Sequence, residues 1–318
     1  MHTEVPKNTK TKRPRTKKTL SLKQKEGLQG YIFISPWIIG FLCITAGPLL
    51  FSLYGSFTNY DVTSRMDFIG LSNYIKMVTN DDLFWISLGN TIYYVVISVP
   101  LTVFGAVLLA VLLNQGIPGL RIFRTIYYLP TVLSGVGVYL LWMQLLNPTT
   151  GLVNTMLSWI GIQGPAWLLD PNWTKPALIF MKFWSLGGGM LLYLASLQGV
   201  PKSLYEAAEI DGANAFKRFI HITLPMISPV IFFEFVTGII GGFQVFQEAY
   251  VMTDNGDGGP ANSLVFFNLH MWDKAFNVFD MGYAMAMSWV LFIIILILTL
   301  INLKLAPRWV HYQGGDQK

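Results

Sequence analysis

Four hydrogen-bonding side chains interrupt an apolar stretch late in the chain: Glu234, Gln244, Gln247 and Glu248. A fifth, Lys182, lies in an earlier apolar stretch ahead of Gly187-Gly188-Gly189. Ionisable groups within bilayer-length apolar segments are rare, and they face a cavity or a partner. On one continuous helix Gln244 and Glu248 share a face at i, i+4, with Gln247 adjacent and Phe243 and Phe246 flanking. Aromatic rings can cover the apolar face of a sugar while amides and carboxylates take its hydroxyls. The same groups also suit helix-to-helix hydrogen bonds worth about 0.6 kcal/mol each, and for Gln244 both readings stand. Gly188 can admit a ligand close to the backbone, or the triple glycine can be a packing or bend site. Lys182 is expected to neutralise Glu234 or Glu248.

Covalent chemistry finds no support. The chain has no Gly-Lys dipeptide and so no phosphate-cradling loop of the nucleotide-hydrolase kind. It has no Gly-x-Ser-x-Gly elbow and no His-Glu-x-x-His pair. His221 and His270 have no companion at metal-ligand spacing, so neither a metal nor a resident cofactor is expected. The chain reads as a binder or conduit, not an enzyme.

The elements that must position these groups are membrane helices. Of the 318 residues, 53% are hydrophobic and 12% charged, with a mean hydropathy of +0.48, whereas soluble domains carry about 25% charged residues. Six apolar runs near 30–57, 85–114, 123–146, 173–199, 226–252 and 280–304 each approach the ~20 residues that cross a bilayer. The expected architecture is all-α and polytopic. A basic tail covers 1–28, a six-span domain 29–310 and a short tail 311–318. Nine lysines and arginines precede residue 26; Arg121, Arg124, Lys202, Lys217, Arg218, Lys304, Arg308 and Lys318 join them on one side if the N-terminus is inside. This bias predicts that both termini are cytoplasmic in a cell (inner) membrane. Trp85, Trp167, Trp173 and Trp272 fall where an aromatic belt anchors a bilayer interface. The lone Cys43 lies in an apolar run and reads as a small hydrophobe.

The longest polar-rich interruption, residues 200–225, falls between the fourth and fifth spans. Ser203 and Glu206 stand at capping-box spacing; Leu204, Ala207 and Ala208 make an apolar stripe; Gly212 suits a left-handed helix stop. Phe216, Phe219 and Ile220 oppose Lys217 and Arg218, and Pro225 suits the first turn of the next membrane helix. Helices this short barely form alone below about 12–15 residues, so they need a partner surface or must pack on their own membrane domain.

Glu206-Ala207-Ala208, Asp211-Gly212-Ala213, Ile222, Leu224-Pro225 and Pro229 resemble the EAA motif of ABC importer permeases. Asn90-Thr91, Phe123-Arg124, Leu129-Pro130, Trp142, Gly151-Leu152-Val153-Asn154, Gly242-Phe243-Gln244-Val245-Phe246, Gly258-Gly259-Pro260 and Gly282-Tyr283-Ala284 are similar, in order, to carbohydrate permeases of the maltose type. The resemblance implies a MetI-like fold and a heterodimer with a second permease. It also implies two ATPase subunits that hold ATP and Mg, an extracytoplasmic solute-binding protein, and import of a sugar or oligosaccharide. In that reading Glu206, Ala207, Ala208, Asp211, Gly212, Leu224 and Pro225 couple to the ATPase, and Phe243, Gln244 and Gln247 reach substrate, with Glu248 and Gly188 beside them. Asn255-Gly256-Asp257 lengthens the family's Thr-Gly-Gly-Pro pattern. Glycerol-3-phosphate is the alternative substrate, but a phosphate wants arginine, and only Arg124 lies at a span edge. A proton-driven transporter using Glu234, Glu248 and Lys182 as a relay is the alternative class.

Overall fold

The computed structural model describes residues 22–63, 66–115, 119–133, 135–253 and 256–311. The chain divides into two units, Met1–Ser52 and Leu53–Lys318. In the first, helix α1 (Leu22–Gly55, running just past the boundary) is long and apolar enough to cross a membrane, and none of its residues up to Ser52 is buried. Residues 1–21 of the expected basic tail lie outside the described residues, and helix starts within the remainder of that tail, at Leu22.

The regular elements described in the second unit are all helices; an isolated bridge between Thr58 and Phe68 is the sole β-pairing among the described residues. Its elements are α2 (Ser72–Thr79), α3 (Asp82–Leu113), α4 (Leu120–Val132), α5 (Val136–Leu145), α6 (Leu152–Trp159), α7 (Pro171–Trp184), α8 (Gly187–Gln198) and α9 (Lys202–Ile210). Then come α10 (Ala215–Phe243), α11 (Gln247–Met252), α12 (Phe267–Phe276) and α13 (Met281–Leu305), ending in a 3₁₀ turn at Ala306–Arg308. Among the described residues four helices, α1 included, can span a membrane singly, and the pairs α4–α5 and α7–α8 can make two further, bent spans.

Helix α3 is the central post. It packs against α7, α8, α10 and α12. Glycines on the facing helices permit the close approach: a Cβ at Gly242 would stand 2.9 Å from Val95, one at Gly238 3.0 Å from Val99, and one at Gly189 3.3 Å from Ala106. One apolar core holds Tyr94, Phe243, Val245, Phe266, Phe267 and Tyr283; a second, nearer the α9 end, holds Ala110, Met190, Tyr193 and Ile227. Burying a large apolar side chain contributes roughly 1.5–3 kcal/mol from water, but lipid is as apolar as leucine, so these contacts act through close packing.

The fifth span departs from expectation. Helix is predicted over 226–252, but it begins at Ala215, passes through a π-helical stretch at Phe219–Thr223, and stops at Phe243. Residues 244–246 are irregular before α11 starts at Gln247. Phe243 and Val245 are both buried. The chain leaves the helix between them, at Gln244. Gln244 and Glu248 therefore do not share a helix face.

Candidate functional site

The loop between α8 and α10 is built as a short projecting helix. α9 starts on Pro201, whose φ of −59° and ψ of 127° turn an extended chain straight into helix at Lys202. That start places Ser203 inside the first turn, so the expected capping box does not form and no side chain caps the helix. The stop is as expected: Gly212 has φ +74°, Gly212 N–H reaches Glu209 O at 3.0 Å and Ala213 N–H reaches Ala208 O at 2.8 Å, a Schellman closure. Asn214, not singled out from sequence, then caps α10 by accepting from Lys217 N–H at 2.9 Å.

Glu206, Ala207 and Asp211 are exposed, and Ala208 is half-buried. Around them Leu204, Ile210 and Phe216 leave apolar surface open, Ile210 being 88% exposed. Leu224 and Pro225 stand apart from this tip, in the first α-turn after the π stretch. One side of α9 is tied down: Tyr205 OH meets Thr223 Oγ1 at 3.0 Å, and Arg218 reaches Glu209 at 3.4 Å. The tip is thus held from behind and bare in front.

A second feature lies within the bundle. A cavity of about 320 Å³ is lined by Tyr94 of α3, Thr131 of α4, Tyr139 and Trp142 of α5, Lys182 of α7 and Glu248 of α11, with Trp184 and Ser185 beside them. Trp142 packs edge-on against Phe180 and Trp184, both at 5.5 Å. Its indole N–H is buried and meets no protein acceptor among the described residues. Among the described residues Lys182 makes no ion pair within 4 Å, though it acts on Glu234 through space. The cavity thus carries one cation, one carboxylate and four aromatic rings.

The residues expected to bind together are dispersed. Glu248 faces this cavity. Gln244 opens onto a different one, of about 640 Å³, with Asn268, Ser288 and Phe292. Phe243 is buried in the core, and Gln247 is exposed. Gly188 has Thr131 as its nearest neighbour, at 3.7 Å from where a Cβ would stand. The triple glycine acts in packing: α7 and α8 meet there at a 44° bend, and a side chain at Gly187 would collide with the Tyr127 carbonyl. Sequence reading missed Tyr139 and Ser185, and took Trp142 only as part of the family resemblance, not as a lining residue. Tyr139–Trp142 and Lys182–Ser185 each recur at i, i+3, a helical spacing that was available as a signal.

At the opposite end from α9, the segment 256–267 is pinned to α3. Asn90 Nδ2 donates to Asn262 O at 2.9 Å and Val265 O at 3.0 Å, while Thr91 Oγ1 accepts from Phe267 N–H at 3.0 Å. Asp81, the N-cap of α3, accepts from Tyr283 OH at 2.6 Å and pairs with His270 Nε2 at 2.8 Å. Burial works to raise the Asp81 carboxyl, but the bonds from Tyr283 and His270 and the nearby charges outweigh it and hold the group below its ordinary range. Burial lowers the His270 imidazole, and Asp81 only partly offsets that. His270 is therefore a structural partner, and no cluster of metal-ligating side chains exists among the described residues.

Residues 84–311 match the family described as "Binding-protein-dependent transport system inner membrane component". The chain belongs to this family. It is a multi-pass membrane permease component of a binding-protein-dependent ABC transporter, all-α with the MetI-like fold; the family is one of transport permeases, not an enzyme class. The chain is 42% identical over 95% of its length, and 97% of the relative's, to a probable ABC transporter permease, YesP, of Bacillus subtilis. It is 36% identical to the lactose transport permease LacF of Rhizobium radiobacter, over 89% of this chain and 95% of that one. Among solved structures, a bacterial ABC transporter involved in import of the acidic polysaccharide alginate superposes with a TM-score of 0.78 at 26% identity, over 89% of this chain and 96% of that chain.

Proposed function

We propose that this chain is the membrane-spanning subunit of an ATP-driven importer for a sugar or oligosaccharide. Relatives named for lactose, arabinooligosaccharides and trehalose/maltose support the substrate class, as does the alginate importer. The observation that carries the coupling role is α9 itself, held from behind by Tyr205 and Arg218 and bare along Leu204, Ala207 and Ile210. In this reading α9 seats in an ATPase subunit on the cytoplasmic side, with Glu206, Ala207, Ala208, Asp211 and Gly212 at the contact and Leu224 and Pro225 at its root. Both chain termini are then cytoplasmic. A second permease completes the pathway, two ATPase subunits hold ATP and Mg, and an extracytoplasmic binding protein delivers substrate.

The chemistry is binding and switching. Closure of the ATPases moves α9, and α10 carries that movement into the bundle, exchanging inward-open and outward-open states. Import is driven because nucleotide state and access state share one coupling free energy. The 320 Å³ cavity suits the substrate path: Trp142, Trp184 and Tyr139 offer ring faces, and the Trp142 N–H, Lys182 and Glu248 offer partners for hydroxyl or carboxylate groups. Gln244 lines the neighbouring space, whereas Phe243 packs in the core and Gln247 and Gly188 line neither cavity. The test is uptake of radiolabelled oligosaccharide into proteoliposomes holding the whole complex. Uptake should require ATP and binding protein and survive a proton ionophore. Uptake that an ionophore abolishes and ATP does not drive would overturn the reading.

A further inference from the structure

We propose that the segment Ala306–His311 is a positioning strap that makes α10 and α13 move as one body when α9 is displaced. The inference rests on the coupling role proposed for α9 and goes beyond it, because no motif residue lies in the strap.

The contacts form a continuous path. Tyr205 of α9 meets Thr223 at 3.0 Å, and Thr223 is buried in the last π-helical residue ahead of the α-helical part of α10. One turn on, Ser228 is 3% exposed; its hydroxyl donates to Pro225 O at 2.6 Å and accepts from the His311 backbone N–H at 2.9 Å. The strap lies against the same helix: Trp309 packs edge-on to Phe232 at 6.1 Å, and Ala306 and Val310 are buried. A 3₁₀ turn, closed by Trp309 N–H and Val310 N–H on Ala306 O at 3.1 and 2.9 Å, joins the strap rigidly to the end of α13.

A π-helical stretch has weaker, misregistered hydrogen bonds than the helix around it and often marks a functional site. A pull on α9 would therefore be absorbed at Phe219–Thr223 unless the helix beyond is braced. Tyr205 bridges the weak stretch on one side, and Ser228 with the strap anchors the helix just past it. Coupling needs a contiguous packed path and not mere proximity.

The test uses the full-length chain in its complete transporter, reconstituted in proteoliposomes with ATP and loaded binding protein. The variants are Ser228→Ala, which removes the acceptor, Ser228→Thr, which keeps it, and Trp309→Ala. The readouts are substrate transported and ATP hydrolysed. The expected result is a split: Ser228→Ala and Trp309→Ala keep at least half of the stimulated ATPase rate while transport falls about tenfold, so ATP spent per substrate rises, and Ser228→Thr restores the ratio. Equal loss of both rates, or no loss of either, would overturn the strap. If the unmodified complex hydrolyses no ATP in response to loaded binding protein, the importer reading itself fails and the strap falls with it.

Discussion

Replacing Asp81 by alanine should loosen one end of the bundle selectively. The carboxylate is 9% exposed and its partner His270 1%. It takes bonds of 2.6 Å from Tyr283 and 2.8 Å from His270, and it caps α3 through the Phe84 N–H at 3.3 Å. A hydrogen bond to a charged group is worth about 1.5–3 kcal/mol, and loss of an N-cap costs about 1 kcal/mol. The three share one carboxylate and do not add fully, so the expected loss is ~3–5 kcal/mol. A tenfold change in an opening equilibrium is about 1.4 kcal/mol. Amides of 262–284 should therefore exchange with deuterium roughly 100- to 4,000-fold faster in detergent, while those of α8 and the early part of α10 keep their rates. Asp81→Asn, which retains the cap and one acceptor, should lose only about 1–2 kcal/mol. Unchanged exchange at 262–284, or equal acceleration throughout, would refute the assignment of Asp81 as the local tie.

The same node has a pH signature. Both groups sit below the ordinary values of a free carboxyl and a free imidazole, so each contributes stability that is present above its unfolded value and lost as pH falls. Thermal stability should hold above pH ~7 and decline as the solution is acidified through the imidazole range, with His270→Gln flattening the first part of the decline. Glu206→Lys should leave the protein in the membrane with its normal partners but abolish uptake and ATPase stimulation, read in proteoliposomes. Lys182→Met should change affinity for acidic against neutral oligosaccharides by about tenfold or more, since a charged hydrogen bond is worth roughly 1.5–3 kcal/mol; an acidic-to-neutral ratio unchanged from that of the unmodified protein would remove Lys182 from the path. Gly242→Val should drive α10 off α3 at Val95 and cost about 1–3 kcal/mol in thermal unfolding, the usual penalty of overpacking.

Much of this molecule was legible in its residues because lipid imposes one strong rule: a spanning backbone must satisfy its own hydrogen bonds, so long apolar runs become helices. The stop at Gly212 was equally legible, since only a positive φ lets the Schellman bonds to Ala208 and Glu209 close. The start of α9 was misread because Pro201 can open a helix without help, leaving Ser203 nothing to cap. The break at 244–246 was hidden for a different reason. No proline or capping glycine follows Phe243, and the chain leaves the helix there with Phe243 and Val245 both packed in the core. That break sent Gln244 and Glu248 to separate cavities and brought Glu248 to Tyr139, Trp142 and Lys182, which lie on other spans and whose convergence no single segment encodes.

The central claim is that α9 is where an ATP-binding partner grips this chain. A photo-crosslinking residue placed at Ala207 in the full-length protein, activated in native membranes and followed by mass spectrometry of the adduct, tests it most directly. The account predicts an adduct with a nucleotide-binding subunit whose yield changes when ATP is trapped. An adduct with an extracytoplasmic protein, or efficient labelling by lipid alone in a transport-competent membrane, would contradict it.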